Sequence, residues 1–233
     1  MTVRQSSFPS REVNLPRRLA AEALGTMFLL AIVVGSGIMA QRLSGGNDGL
    51  ALMGNTIATG AGLIVLITVF GPISGAHFNP AVSLIAALRQ EMSAALAAAY
   101  VAAQFLGAGL GVFAAHAMFA EPVFQVSTRL REGPGQIFSE FVATFGLLLT
   151  ILSTSRSRPE FTPIAVGLYI TSAYWFTAST SFANPAVTLA RSLTDSFSGI
   201  APGSTPGFIP AQLLGAATAM VLDRWLTGVT RRP

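Results

Sequence analysis

The residues best suited to do chemistry are two matched tripeptides, Asn79-Pro80-Ala81 and Asn184-Pro185-Ala186. Asn is a preferred helix N-cap, because its side-chain oxygen accepts an otherwise unpaired backbone N–H. Pro is favoured at the first helical position, where its missing N–H costs nothing. Each tripeptide therefore reads as the start of a helix, carrying about half a positive charge from the macrodipole. Two such starts facing one pore repel cations and protons, while the Asn amides donate to a passing hydroxyl or water. The match continues outward, since Val82-Ser83-Leu84 follows the first copy and Val187-Thr188-Leu189 the second.

Other chemistry is sparse. There is no Cys, which excludes disulfides and thiolate metal sites, and only His77 and His116 are present, too few for a His-rich metal site. No Ser/His/Asp or cofactor constellation stands out, so no catalytic residue, metal or cofactor is expected. Glu22 and Glu140 lie inside apolar stretches, where a carboxylate costs about 2.5–3.5 kcal/mol or more. Intramembrane carboxylates can serve as a proton relay or as a structural brace.

The elements that position these residues follow from composition. Of the 233 residues 52% are hydrophobic and 10% charged, against about 25% charged in a soluble domain. Six apolar stretches, near 19–40, 50–70, 94–119, 137–153, 163–177 and 208–226, approach the length of about 20 residues that spans a bilayer. Two shorter ones, 79–88 and 184–193, begin at the tripeptides; a helix of ten residues rises only about 15 Å. The expected fold is an all-α membrane protein of six transmembrane helices and two re-entrant half-helices. Residues 1–18 and 229–233 are expected as cytoplasmic tails, 19–120 and 137–228 as three-helix repeats, and 121–136 as the extracellular link.

The repeats share further signatures. Ala21-Glu22 matches Ser139-Glu140, and Gln104-Phe105-Leu106-Gly107 matches Gln212-Leu213-Leu214-Gly215. Three spans per half is odd, so the halves enter the membrane from opposite sides, an inverted repeat that places sites at the midplane. Non-helical backbone at that depth must line water or be buried in protein. All fourteen basic residues are Arg, and they flank spans instead of forming a nucleic-acid face. Ten fall on the side of the termini and four (Arg42, Arg129, Arg131 and Arg191) on the other, which makes the termini cytoplasmic under the positive-inside rule.

On these motifs, above all Ser74-Gly75-Ala76-His77-Phe78-Asn79-Pro80-Ala81-Val82 and the second tripeptide, the chain resembles the aquaporin and glycerol-facilitator superfamily. The resemblance covers nearly all of 18–226 and implies a homotetramer in the lipid bilayer, with one pore per subunit for water and small neutral solutes. It implies that Glu22 and Glu140, supported by Gln104 and Gln212, brace the re-entrant loops, and that carbonyls before Asn79 and Asn184 line the pore. Symmetric placement favours bracing over proton relay. The glycines Gly107, Gly109 and Gly111 are assigned only helix packing.

The sequence also departs from that pattern. Most relatives carry Arg directly after the second tripeptide, where this chain has Val187. The resemblance, carried over by spacing from the turns, implies the other constriction positions at Thr59, where a bulky aromatic is usual, and Ser181. The helix 5 position is Tyr174, or Ser172 if no deletion precedes the turn. A wider, less basic constriction is expected. Arg191, one turn beyond Val187 and on the same helix face, is placed either to lend charge to the outer vestibule or to anchor the half-helix. Thr188 stands where glycerol facilitators usually carry Asp, and Pro206-Gly207 replaces an aromatic pair common in water-selective members.

The function implied is a passive channel for glycerol-like polyols, neutral metalloid hydroxides or arsenicals, and water. Val in the filter resembles a bacterial subgroup associated with arsenic-resistance operons. The alternatives are a water-selective pore and, with few ionisable groups to support it, a proton-coupled transporter. Short loops point to a bacterial inner membrane.

Overall fold

The computed structural model describes residues 13–228. The helices in chain order are α1 (Leu15–Leu43), α2 (Asp48–Ser74), α3 (Pro80–Leu88), α4 (Ala94–Met118), α5 (Pro134–Ser157), α6 (Thr162–Phe176), α7 (Pro185–Ala190) and α8 (Thr205–Thr227). Their starts are chemically marked. The side chains of Asn14, Asn47 and Ser93 accept N–H groups of Arg17, Leu50 and Leu96 at 3.2, 3.0 and 3.2 Å, satisfying donors that have no intrahelical acceptor.

Several boundaries differ from the sequence reading, each for a local reason. Leu15 to Arg18, assigned to the tail, form the first turn of α1, because Asn14 caps it and Pro16 suits its opening position. Pro134 and Thr205-Pro206 start α5 and α8 three residues early by the same preference. The rest of the expected tails, residues 1–12 and 229–233, lies outside the described residues. The second half-helix is α-helical only over Pro185–Ala190 and tightens into a 3-10 turn at Arg191–Leu193.

Among the described residues, five helices are long and apolar enough to cross a membrane: α1, α2, α4, α5 and α8. The sixth span, α6, has 15 residues and rises about 22 Å, with a 3-10 turn at Pro159–Phe161 leading into it. Many large apolar side chains point outward, among them Ile57, Val65, Leu106 and Leu214. Such a surface suits contact with lipid, where it carries no penalty.

Packing follows the repeat. Helix α1 packs on α4 and α2, α5 packs on α8 and α6, and α2 against α6 joins the halves. Each half-helix touches the last long helix of both halves: α3 lies against α4 and α8, and α7 against α8 and α4. The starts of α3 and α7 therefore meet inside a six-helix wall. Close approach at two matched points depends on glycine. A Cβ at Gly107 would overlap the carbonyl of Ala23 on α1, and one at Gly215 the carbonyl of Phe141 on α5. Gly111 lies similarly against Met27, whereas Gly109 has nothing within 4 Å and does not share their packing role.

Candidate functional site

Asn79 and Asn184 cap α3 and α7 and tie the two starts together. Asn79 Oδ1 accepts from Ala81 N at 2.9 Å, and Asn184 Oδ1 accepts from Ala186 N at 2.9 Å and Val187 N at 3.3 Å. With the oxygens turned into their own helices, the amide nitrogens face outward. Asn79 Nδ2 donates to Ala183 O and Asn184 Nδ2 to Phe78 O, both at 2.8 Å. Each crossing bond uses one of two amide hydrogens, leaving the other available where both Asn residues line a shared cavity of about 460 Å³.

The strands entering these caps are strained. Ala76 and Phe78 before α3, and Thr180, Ser181 and Ala183 before α7, have φ between 49° and 62°, the left-handed region that side chains disfavour by about 1–2 kcal/mol each. Two buried carboxylates hold them. Glu22 accepts from His77 N at 3.0 Å, Phe78 N at 2.8 Å, Ser74 Oγ at 2.6 Å and Gln104 Nε2 at 2.8 Å. Glu140 accepts from Phe182 N at 2.9 Å, Ala183 N at 2.8 Å and Gln212 Nε2 at 2.6 Å. The glutamines reach on to the half-helices, Gln104 Nε2 donating to Ser83 Oγ at 2.9 Å and Gln212 Nε2 to Thr188 Oγ1 at 2.7 Å. Both carboxylates are fully buried, and their donors replace the water they have lost.

Ser83 and Thr188 were visible only as part of the repeated tripeptide context, and their shared hydroxyl was the signal for this contact. Ser74 and Tyr100 carried no such signal. Tyr100 OH donates to Ser74 O at 2.8 Å and accepts from Arg18 Nε at 2.8 Å, tying the first turn of α1 to the end of α2.

The outer part of the cavity is lined by Thr59, Tyr174, Ser181, Phe182, Val187 and Arg191. Of the two candidates on α6, Tyr174 faces this cavity, whereas Ser172 is exposed and donates back to Tyr169 O at 2.7 Å. Tyr174 OH donates to Thr59 Oγ1 at 3.4 Å, so the large ring on α6 reaches the small side chain on α2. Arg191 is 1% exposed, lines the cavity with Val187, and lies over the Phe182 ring at 3.5 Å from its centre. It also ties α7 to the following loop, through Nε to Ser198 O and through its own carbonyl to Ile200 N at 3.2 Å.

Around this mouth, the link 121–133 is pinned by further polar groups. Arg131 Nε donates to Gly199 O at 2.9 Å and its Nη1 to Ser179 O at 3.3 Å. Burial, with a smaller contribution from neighbouring Arg129, pushes the Arg131 guanidinium down to about 10. Asp195 accepts from Thr128 N and Oγ1 at 2.8 and 2.9 Å, which holds its carboxyl below the ordinary value of 3.8. His116 has both ring nitrogens engaged, by Val123 O and Thr194 Oγ1 at 2.8 Å each. Among the described residues no cluster suits a metal ion.

Two facing half-helices inside a wall of apolar helices, with paired amides on a common cavity, define a membrane channel. The comparisons with known proteins agree. The family profile described as major intrinsic protein matches residues 9–180, and the chain belongs to that family. It is 59% identical over 93% of its length to aquaglyceroporin AqpS of Rhizobium meliloti, covering 92% of that protein. It is 29% identical over 91% of its length to aquaporin Z of Bradyrhizobium diazoefficiens, covering 93% of that protein. The structure of the aquaglyceroporin from Plasmodium falciparum superposes with a TM-score of 0.70 at 19% identity, covering 93% of this chain and 98% of that one, a likeness of fold. The protein is therefore a multi-pass membrane channel of that family, and not an enzyme.

Proposed function

We propose that the channel passes uncharged solutes larger than water, glycerol-like polyols and neutral metalloid hydroxides or arsenicals, along with water. Its selectivity filter is Thr59, Tyr174, Ser181 and Val187, followed inward by the paired Asn79-Pro80-Ala81 and Asn184-Pro185-Ala186 caps. Glu22, Glu140, Gln104 and Gln212 hold the loops that carry them. The observation that supports this reading is Val187, a short apolar side chain on the cavity wall that the equally small Thr59 also lines. An aquaglyceroporin at 59% identity points the same way. The chain works as a homotetramer in a bacterial inner membrane, with both termini in the cytoplasm by the arginine bias.

A water-selective pore is the second reading, favoured by the Tyr174 hydroxyl reaching Thr59 at 3.4 Å and so narrowing the passage. Stopped-flow permeability of proteoliposomes, solute by solute, for the native channel and Val187→Arg separates the two. The wide filter predicts native glycerol flux that falls at least about tenfold in Val187→Arg, a change of about 1.4 kcal/mol in barrier. Rapid native swelling in water with glycerol excluded overturns it.

A further inference from the structure

Arg191 is held by two side-chain contacts that do not use its full donor capacity. Nε is spent on Ser198 O. The face of the guanidinium lies on Phe182, 3.5 Å from the ring centre. Nη1, fully enclosed, has no hydrogen-bond partner in the protein among the described residues. A buried guanidinium is normally satisfied by acceptors. Here one of its nitrogens is left without an acceptor on a side chain that borders the cavity beside Val187, Ser181 and Tyr174.

Its charge has no ion-pair partner among the described residues. The ion pairs among the described residues involve Arg42, Arg89 and Arg156, and none involves Arg129, Arg131 or Arg191. Arg131 stacks on the same Phe182 ring, 5.1 Å from its centre, but its Nε and Nη1 are bonded to Gly199 O and Ser179 O. It is not part of the cavity wall. Phe182 in turn is fixed by Glu140 through its N–H at 2.9 Å and by Phe208, edge to face at 5.3 Å. The carboxylate that holds the loop thus also fixes the platform on which Arg191 rests.

The repeat supplies an independent argument that this position faces the pore. Arg191 lies seven residues after Asn184, and the residue seven after Asn79 is Ala86, which lines the same cavity from the first half-helix. The inverted repeat therefore presents this position to the pore twice, with a guanidinium at one end only.

We propose that Arg191 supplies, from one turn further along, the donor and the positive charge that the filter lacks at Val187. Its guanidinium, on the cavity wall beside Val187, donates to an oxygen of the permeating hydroxylated solute, and its charge bars small cations at the outer constriction. Apolar Val187 leaves the width, and Arg191 restores the polarity. This rests on the reading of the protein as a solute channel with its filter at Val187 and goes beyond it by naming the group that the solute meets.

The test compares Arg191→Met and Arg191→Lys with the native channel in proteoliposomes. Water, glycerol and guanidinium-ion fluxes are measured separately, and water flux reports a folded pore. In Arg191→Met the guanidinium-ion flux rises at least tenfold. In Arg191→Lys, which keeps charge but loses the planar fork of donors, cations stay excluded and the glycerol-to-water ratio falls severalfold. A water-conducting Arg191→Met that still excludes cations as the native channel does overturns the proposal. If that variant does not fold, an unchanged glycerol-to-water ratio in Arg191→Lys overturns it. Failure of the solute reading itself is seen separately, as exclusion of glycerol by the native channel, while the cation arm remains readable.

Discussion

Replacing Glu140 by Gln tests whether the buried carboxylate is a brace, and two opposing magnitudes set the expectation. The carboxylate accepts three donors, Phe182 N, Ala183 N and Gln212 Nε2, at 2.9, 2.8 and 2.6 Å. Its Oε2 serves Ala183 and Gln212 and its Oε1 serves Phe182. A Gln amide that keeps its oxygen on the first pair turns its NH₂ toward the Phe182 N–H. Orphaning that donor costs about 1–3 kcal/mol, and the two surviving bonds lose roughly 1 kcal/mol each as their acceptor becomes neutral. Against this total of roughly 3–5 kcal/mol stands the relief of not burying a charge, about 2.5–3.5 kcal/mol. Global stability therefore falls by no more than about 2.5 kcal/mol. The local effect is larger, because Thr180, Ser181 and Ala183 store left-handed strain at φ of 62°, 52° and 49°, roughly 3–6 kcal/mol in sum, which those bonds oppose. Glu140→Gln is expected to keep its fold, exchange amide hydrogens faster across 177–187, and lose at least about tenfold in solute flux. Hydrogen-exchange mass spectrometry and stopped-flow permeability check this together. Native exchange across 177–187 with native flux would refute the bracing argument, and a flux that tracks the proton gradient would favour a relay.

Two further perturbations read other parts of the structure. Gly107→Ala and Gly215→Ala drive a methyl into the carbonyls of Ala23 and Phe141, so each should destabilise by about 1–3 kcal/mol; Gly109→Ala, with open space beside it, should be neutral or stabilise by up to about 1 kcal/mol, all measured as thermal unfolding in detergent. Asp195 titrates below 3.8 because Thr128 bonds its charged form, so its tether is fully present above that value and is lost as pH falls through the lowered pKa. Limited acid proteolysis of the 121–133 link should accelerate in that window for the native chain, whereas Asp195→Asn should already be cleaved quickly at pH 5.

What could be read from the sequence was whatever the repeat wrote twice. The paired caps, the two glutamates and the two glutamines stood out because each has a mate at a corresponding place; the structure joins the two caps and sets each glutamate beside its own glutamine. Ser83 and Thr188 belonged to the same pattern, although only the folded chain shows that Gln104 and Gln212 reach them at 2.9 and 2.7 Å. Helix ends were less legible. Pro134 and Pro206 look like breaks in a hydropathy profile, yet proline is welcome in a first turn, and both lie inside helices. Tyr174 and Ser172 could not be separated by counting, because one deletion in a loop shifts the register; burial against Thr59 separates them.

The parts that do not repeat are those for which linear reasoning was weakest, and the reason is physical. Holding two loops at a midplane is the same mechanical task twice, so Glu22 and Glu140 take matching partners. Selecting a solute is needed at one constriction, so the positions that do it are free to differ between halves. Val82 and Val187 match and both face the cavity, whereas Ala86 and Arg191 match in position and differ in kind. The sequence has Val187 after the second tripeptide and an Arg four residues further on, at Arg191. The helix places residues four apart on one face, so charge can move one turn along and still border the same passage. Phe182 carries that turn's guanidinium flat against its ring, and Phe182 is itself held by Glu140. The departure from the repeat at Arg191 is thus mounted on the part of the repeat that is kept.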